Sequence, residues 1–302
     1  MLIPPGFLTR SLVVSAGSMA YIEADPAFWF TDSAASLPDS LDPLIFIHGF
    51  GGGSSSYEWS KVYPAFAADY RVLAPDLIGW GHSDHPDRPY NAESYVQMIG
   101  ELIAQTCLEP AMVVASSLTA ALMVRVAIAH PGRIKGLILV APTGLADFGQ
   151  DPSASIVNQL VKLPLVDQLL YRGVIATAEG IRLFLAQRQF ADASKISEEM
   201  VSAYLKSAQQ PQADVAALAF VRGDLSFDLA EYLPQLTTPT VILWGEAAQF
   251  TDIDTGRRLA ALNPDAIRRF EPLPGVGLTP QLELPGVTIG LMRRYLAEWG
   301  DR

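Results

Sequence analysis

Short apolar runs recur along the chain, at 43–47, 72–74 after Arg71, 112–115, 137–140 and 241–244, with a more polar sixth candidate at 268–273. They lack the in–out alternation of a strand with one wet face, so each reads as a strand buried on both sides. Between them lie stretches with helical spacing, at 94–106, 118–130 and 254–262. Buried strands alternating with helices predict a parallel sheet covered on both faces. Right-handed crossovers then make it a doubly wound, mostly parallel α/β sheet. An N-terminal hairpin precedes this pattern, followed by a polar, proline-bearing loop over 25–42.

The rhythm breaks after residue 146. No strand-like run occurs until 233, and the segments 156–170, 178–187 and 197–207 have helical patterns punctuated by Pro152, Pro164 and Pro211. The expectation is a core made of 1–146 and 233–302, with 147–232 forming a helical cap over it.

Composition narrows the function classes. The chain has 302 residues, half of them hydrophobic and 18% charged, which excludes a disordered chain. The net charge of −11 disfavours nucleic acid as a partner, because a polyanion needs a dense basic face. A single cysteine, Cys107, cannot form an intrachain disulfide, so a reducing cytoplasmic setting is expected. The most apolar stretch, 111–129, is interrupted by Ser116, Ser117, Thr119 and Arg125, and is not read as a membrane span. The N-terminus lacks the charged-then-apolar layout of a signal peptide. Four scattered histidines and one cysteine offer no metal-ligand spacing, and no Walker or G-x-G-x-x-G pattern suggests a nucleotide; no cofactor is expected.

In a doubly wound sheet the chemistry sits at the carboxyl ends of the strands. After the first buried strand comes His48-Gly49-Phe50-Gly51-Gly52, a turn whose backbone N–H groups can face a developing oxyanion. After the third comes Ala115-Ser116-Ser117-Leu118-Thr119, with the layout of a strand–turn–helix nucleophile elbow centred on Ser117. Ala115 and Thr119 stand where such elbows usually carry glycine, the β-branched Thr being the tighter fit. The Leu118 N–H, at the start of a helix, is the second expected oxyanion donor beside that of Phe50.

These motifs, together with Ala74-Pro75-Asp76-Leu77-Ile78-Gly79-Trp80-Gly81-His82-Ser83, His130-Pro131 and the run from Leu273 to Gly277, resemble the α/β-hydrolase-fold superfamily over nearly the whole chain. The stretches 169–172 and 213–223 are similar to the branch common in cyanobacteria and plastids, which includes chlorophyll-dephytylating esterases. The resemblance implies a capped core, a serine nucleophile at Ser117, an acid three residues after Gly245 and a histidine after the Pro-Gly-x-Gly run. The last two positions hold Ala248 and Leu278. It also implies structural roles for His48, His82 and His130. His85 lies on a loop, and Asp147, Glu246, Asp252 and Asp254 are candidate substitute acids, although an acid does little without an imidazole to orient.

Two expectations follow. The first is a weakly active or non-catalytic member that binds a small lipophilic ligand between cap and core. The second is an esterase-type serine hydrolase with a relocated or substrate-supplied base. Carboxylate-nucleophile branches are disfavoured by Ser117, and histidine-dependent lyase or oxygenase branches by Leu278.

Overall fold

The structure, a computed structural model, describes residues 3–30, 41–150 and 171–300. Its centre is an eight-stranded sheet: β1 (Phe7–Val14), β2 (Gly17–Ala24), β3 (Pro43–Ile47), β4 (Arg71–Pro75), β5 (Ala111–Ser116), β6 (Ile134–Val140), β7 (Thr240–Gly245) and β8 (Ile267–Leu273). The spatial order is β1-β2-β4-β3-β5-β6-β7-β8. The β1–β2 and β2–β4 pairs are antiparallel, and all the other pairs are parallel. All six runs read from the hydrophobic pattern are strands. β3, β5 and β7 are buried at every residue, as their uninterrupted apolar sequences require.

The helices are α1 (Pro26–Trp29), α2 (Ala92–Thr106), α3 (Ser117–Ala129), α4 (Ala178–Phe184), α5 (Glu198–Ala208), α6 (Ala213–Arg222), α7 (Ile253–Ala261), α8 (Pro280–Glu283) and α9 (Pro285–Gly300). α2 starts on a reciprocal cap: Asn91 Oδ1 accepts from Ser94 N at 2.8 Å, and Asn91 N donates to Ser94 Oγ at 3.3 Å. α3 is unlike α2 in being buried nearly all round, from Ser117 through Val124, because it runs directly beneath the other layers. The expected helix over 156–170 lies outside the described residues. The segments expected at 178–187 and 197–207 are α4, extended by a wider π turn (Leu185–Gln189), and α5.

α4, α5 and α6 all fall between β6 and β7, and this helical insert packs against the loop that follows β3. A Cβ at Gly52 would stand 2.5 Å from Ile175 Cγ2, and one at Gly53, whose φ is +88°, would collide with the Tyr204 carbonyl. Only glycine gives the backbone that conformation and that approach. Among the described residues, no helix is long and apolar enough to cross a membrane.

Candidate active site

β5 ends at Ser116, and the chain turns at once into α3. The turn is made by Ser117, which has φ of +56°, a left-handed conformation that costs an L-residue roughly 1–2 kcal/mol. Strain held at one serine, between strand and helix at the carboxyl edge of the sheet, is the geometry of a nucleophile elbow. Thr119, the tight fit in the sequence, has a specific job. Its hydroxyl lies 2.7 Å from the His48 carbonyl and 2.6 Å from the Ser116 carbonyl, and it shares its hydrogen between them. That bond ties the first turn of α3 to the end of β3. It is why a hydroxyl-bearing side chain can replace the usual glycine.

The loop after β3 closes over the elbow. A Cβ at Gly49 would lie 3.5 Å from Ser117 Cβ. The Phe50 and Leu118 N–H groups donate to no other group among the described residues. Phe50 is fixed by stacking on Trp80, with ring centroids 4.9 Å apart and planes 10° apart.

Sequence reasoning missed the carboxylate behind this loop. Glu58 is 1% exposed; its Oε2 accepts from Gly49 N at 2.9 Å and from Ser116 Oγ at 3.2 Å. Its Oε1 accepts from the Tyr204 hydroxyl at 3.4 Å, and that hydroxyl also lies 3.3 Å from Gln189 Oε1. Burial, followed by the charge of Glu58, pushes the Tyr204 phenol well above its ordinary range, so it stays a donor. One polar thread thus joins the loop after β3 to α5 and the end of the π turn. The only hint in the sequence is one acidic residue inside the apolar run Tyr57-Glu58-Trp59.

No imidazole reaches Ser117. His48 Nδ1 is 2.7 Å from the Gly49 carbonyl, and its Nε2 accepts from Leu77 N at 3.0 Å, so the ring pins two loops. His82 Nδ1 faces Asp76 Oδ2 at 3.5 Å. His130 packs against Gly100, whose added Cβ would be 2.6 Å from its Nε2. His85 Nε2 is buried without a partner among the described residues. Asp76, at the end of β4, is a structural anchor. Burial alone would raise its carboxyl, but bonds from the His82 ring and from the Ser56 and His82 N–H groups hold it below the usual carboxylate range.

The two positions singled out by resemblance follow β7 and β8. Ala248 N donates to the Gly245 carbonyl at 3.1 Å in the turn after β7. Leu278 is 4% exposed within the apolar core, and its N–H donates to the Gln189 carbonyl at 2.7 Å. A Cβ at Gly277 would collide with that same carbonyl, so the insert lies directly on this loop. Glu283 fastens the two: its carboxylate accepts from Gly277 N at 2.8 Å, Asp192 N at 2.9 Å and Ala191 N at 3.1 Å.

The substitute acids are engaged elsewhere. Asp147 is buried, accepting from Thr143 Oγ1 at 2.7 Å and Leu229 N at 3.0 Å; burial nevertheless raises its carboxyl. Asp252 caps α7 through Thr255 N at 2.7 Å, and Asp254 pairs with Arg257 at 2.9 Å. Glu246 is exposed. Among the described residues, no group of three His, Cys, Asp or Glu side chains is placed to hold a metal ion.

Over residues 42–275 the sequence matches the model of the alpha/beta hydrolase fold. The chain belongs to this family. Among curated α/β-hydrolase relatives, it is 30% identical to 2-hydroxymuconate semialdehyde hydrolase of Pseudomonas sp. (strain CF600) over 145 residues, 44% of this chain and 51% of that one. It thus spans about half the length of that relative. It is 25% identical to 2-hydroxy-6-oxo-6-(2'-aminophenyl)hexa-2,4-dienoic acid hydrolase of Metapseudomonas resinovorans, across 74% of each chain. Among solved structures, it superposes with a TM-score of 0.73 on a serine hydrolase involved in carbazole degradation, at 21% identity and covering 96% of this chain and 99% of that one. A TM-score of 0.75 relates it to the haloalkane dehalogenase DbeA of Bradyrhizobium elkani USDA94, at 19% identity over 98% and 99% of the two chains. At such identities the structural likeness is one of fold.

Against the loop after β3 lies a cavity of about 600 Å³, walled by Gly51 and Gly52 on one side and by α4, α6 and the π turn on the other. Ile175, Ile181, Phe184, Phe220 and Phe250 make most of its surface apolar. Ser117 is not among its described lining residues.

Proposed function

We propose that this α/β-hydrolase-family protein is a non-catalytic or weakly active member that binds a small lipophilic molecule between a helical cap, 147–232, and a core of 1–146 and 233–302. The observation that carries the reading is the isolation of Ser117. No imidazole ring lies within hydrogen-bond reach of it, and Leu278 and Ala248 occupy the positions where the resemblance expects a base and an acid. A serine hydroxyl without a base is a poor nucleophile at neutral pH. In serine-protease triads, loss of the base alone costs roughly a millionfold, or about 8 kcal/mol of transition-state stabilisation. The unoccupied Phe50 and Leu118 N–H pair and substrate binding would leave roughly a thousandfold over water. The cavity has the volume of a small-ligand site. The single Cys107, buried and with its thiol pushed up by burial, suits a reducing cytoplasm.

A second reading, esterase-type hydrolysis at Ser117 with a base supplied by substrate or from elsewhere, draws on the strained turn at Ser117 and on the hydrolase relatives. Turnover of short acyl esters by the protein and by Ser117→Ala separates the two. Equal, near-background rates support the non-catalytic reading. Turnover that vanishes in the variant overturns it.

A further inference from the structure

The cavity wall is not uniformly apolar, and its polar groups have a common character. Arg188, in the π turn, is the only ionisable residue among the described lining residues; no Asp or Glu joins it, although the chain carries 32 acidic residues against 21 basic ones. Its guanidinium lies over the Phe250 ring, 5.9 Å from the centroid, and forms no ion pair among the described residues. Ser226 also lines the cavity, but its hydroxyl is shielded from it and has no hydrogen-bond partner among the described residues, so the polar character of the wall rests on Arg188 and Gln187. A cation beside apolar walls, held by an aromatic face and unopposed by any carboxylate among the described lining residues, attracts an anion.

We propose that the cavity takes a long-chain monoanionic amphiphile, a carboxylate whose headgroup pairs with Arg188 and whose hydrocarbon lies along Ile181, Phe184 and Phe220. This rests on the ligand-binding reading above and names the chemical class of its ligand. Arg188 selects the charge, and the apolar wall supplies most of the affinity, since burial is non-directional and scales with area. The acid is therefore favoured over its neutral ester by the strength of one charge-assisted pair at a partly exposed site, roughly tenfold.

The test is displacement of a fluorescent long-chain carboxylate, cis-parinarate, by oleate and by methyl oleate, each below its micellar concentration. It is run on the full chain and on Arg188→Gln and Arg188→Lys. The expected result is that oleate competes about tenfold better than methyl oleate, that Arg188→Gln removes the preference while leaving methyl oleate unchanged, and that Arg188→Lys keeps part of it. Equal competition by acid and ester, unaltered by Arg188→Gln, overturns this inference and leaves the ligand-binding reading standing. Absence of binding by all three molecules overturns both. Arg188 is an exposed side chain, and an unchanged melting transition in Arg188→Gln excludes misfolding as the cause of any loss.

Discussion

Replacing Ala248 by Asp and Leu278 by His restores, by resemblance, the acid and the base of a serine hydrolase. The perturbation is not free. Leu278 is 4% exposed in the apolar core, so its loss removes about 1.5–3 kcal/mol of burial, and the imidazole brings two ring nitrogens that need partners. Ala248 is half-buried beside the β7 turn and costs less. The summed cost, about 3–4 kcal/mol, is a large share of a typical 5–15 kcal/mol stability, so the double variant should melt well below the parent yet stay folded at low temperature. Against that stands a catalytic gain of up to about 8 kcal/mol for a working base. Even if imperfect geometry forfeits most of it, hydrolysis of p-nitrophenyl butyrate should rise at least about a hundredfold, with each single variant giving little. The control is the same pair of changes with Ser117→Ala, which should return the rate to background. If the double variant retains a cooperative melting transition but hydrolyses no faster than its Ser117→Ala counterpart, Ser117 is not poised as the geometry argues.

Three further outcomes follow from the contacts around the site. Glu283→Ala removes the acceptor of three backbone N–H groups and should cost about 3 kcal/mol or more in urea unfolding, with Glu283→Gln losing less; limited proteolysis should cut first near 189–192, where the insert is fastened. Gln281 is fully buried and both its amide atoms lack partners among the described residues, so Gln281→Leu should be neutral or stabilising by roughly 1 kcal/mol; a loss of more than that would reveal a partner for the amide. Burial lowers the His85 pKa below its ordinary 6.5, despite opposing contributions from a bond to Ser83 and the charges of Asp76 and Asp84. The folded state therefore binds this proton less readily than the unfolded chain. The stability is full above pH 6.5 and is lost as pH falls from there toward the lowered value, so melting temperature should drop across that interval and drop less in His85→Gln.

Hydrophobic patterning made the sheet legible because burial on both faces leaves an unmistakable mark. The run 43–47 had no choice but to be an inner strand, and residues 41–50 carry straight into the loop that faces Ser117. The strand–turn–helix geometry at Ser117 is legible because strand, small residues and helix occur in that order. α6 is not legible as a helix, because Gln212 starts it in a left-handed conformation, φ +61°, with no side-chain cap to announce it. The Glu58–Tyr204–Gln189 thread was out of reach for a different reason. Its members lie up to 146 positions apart, and nothing in a one-dimensional pattern couples a lone acid in an apolar run to a tyrosine on a distant helix.

The close seat of the insert on residues 51–53 limits how this architecture can be rebuilt. Because the Tyr204 carbonyl occupies the space of a side chain at 53, and Ile175 that at 52, the helices between β6 and β7 are not an interchangeable module. A chimera that grafts another relative's helices onto this sheet must import that relative's version of the glycine triplet as well, or the new roof will rest on a floor shaped for a different one.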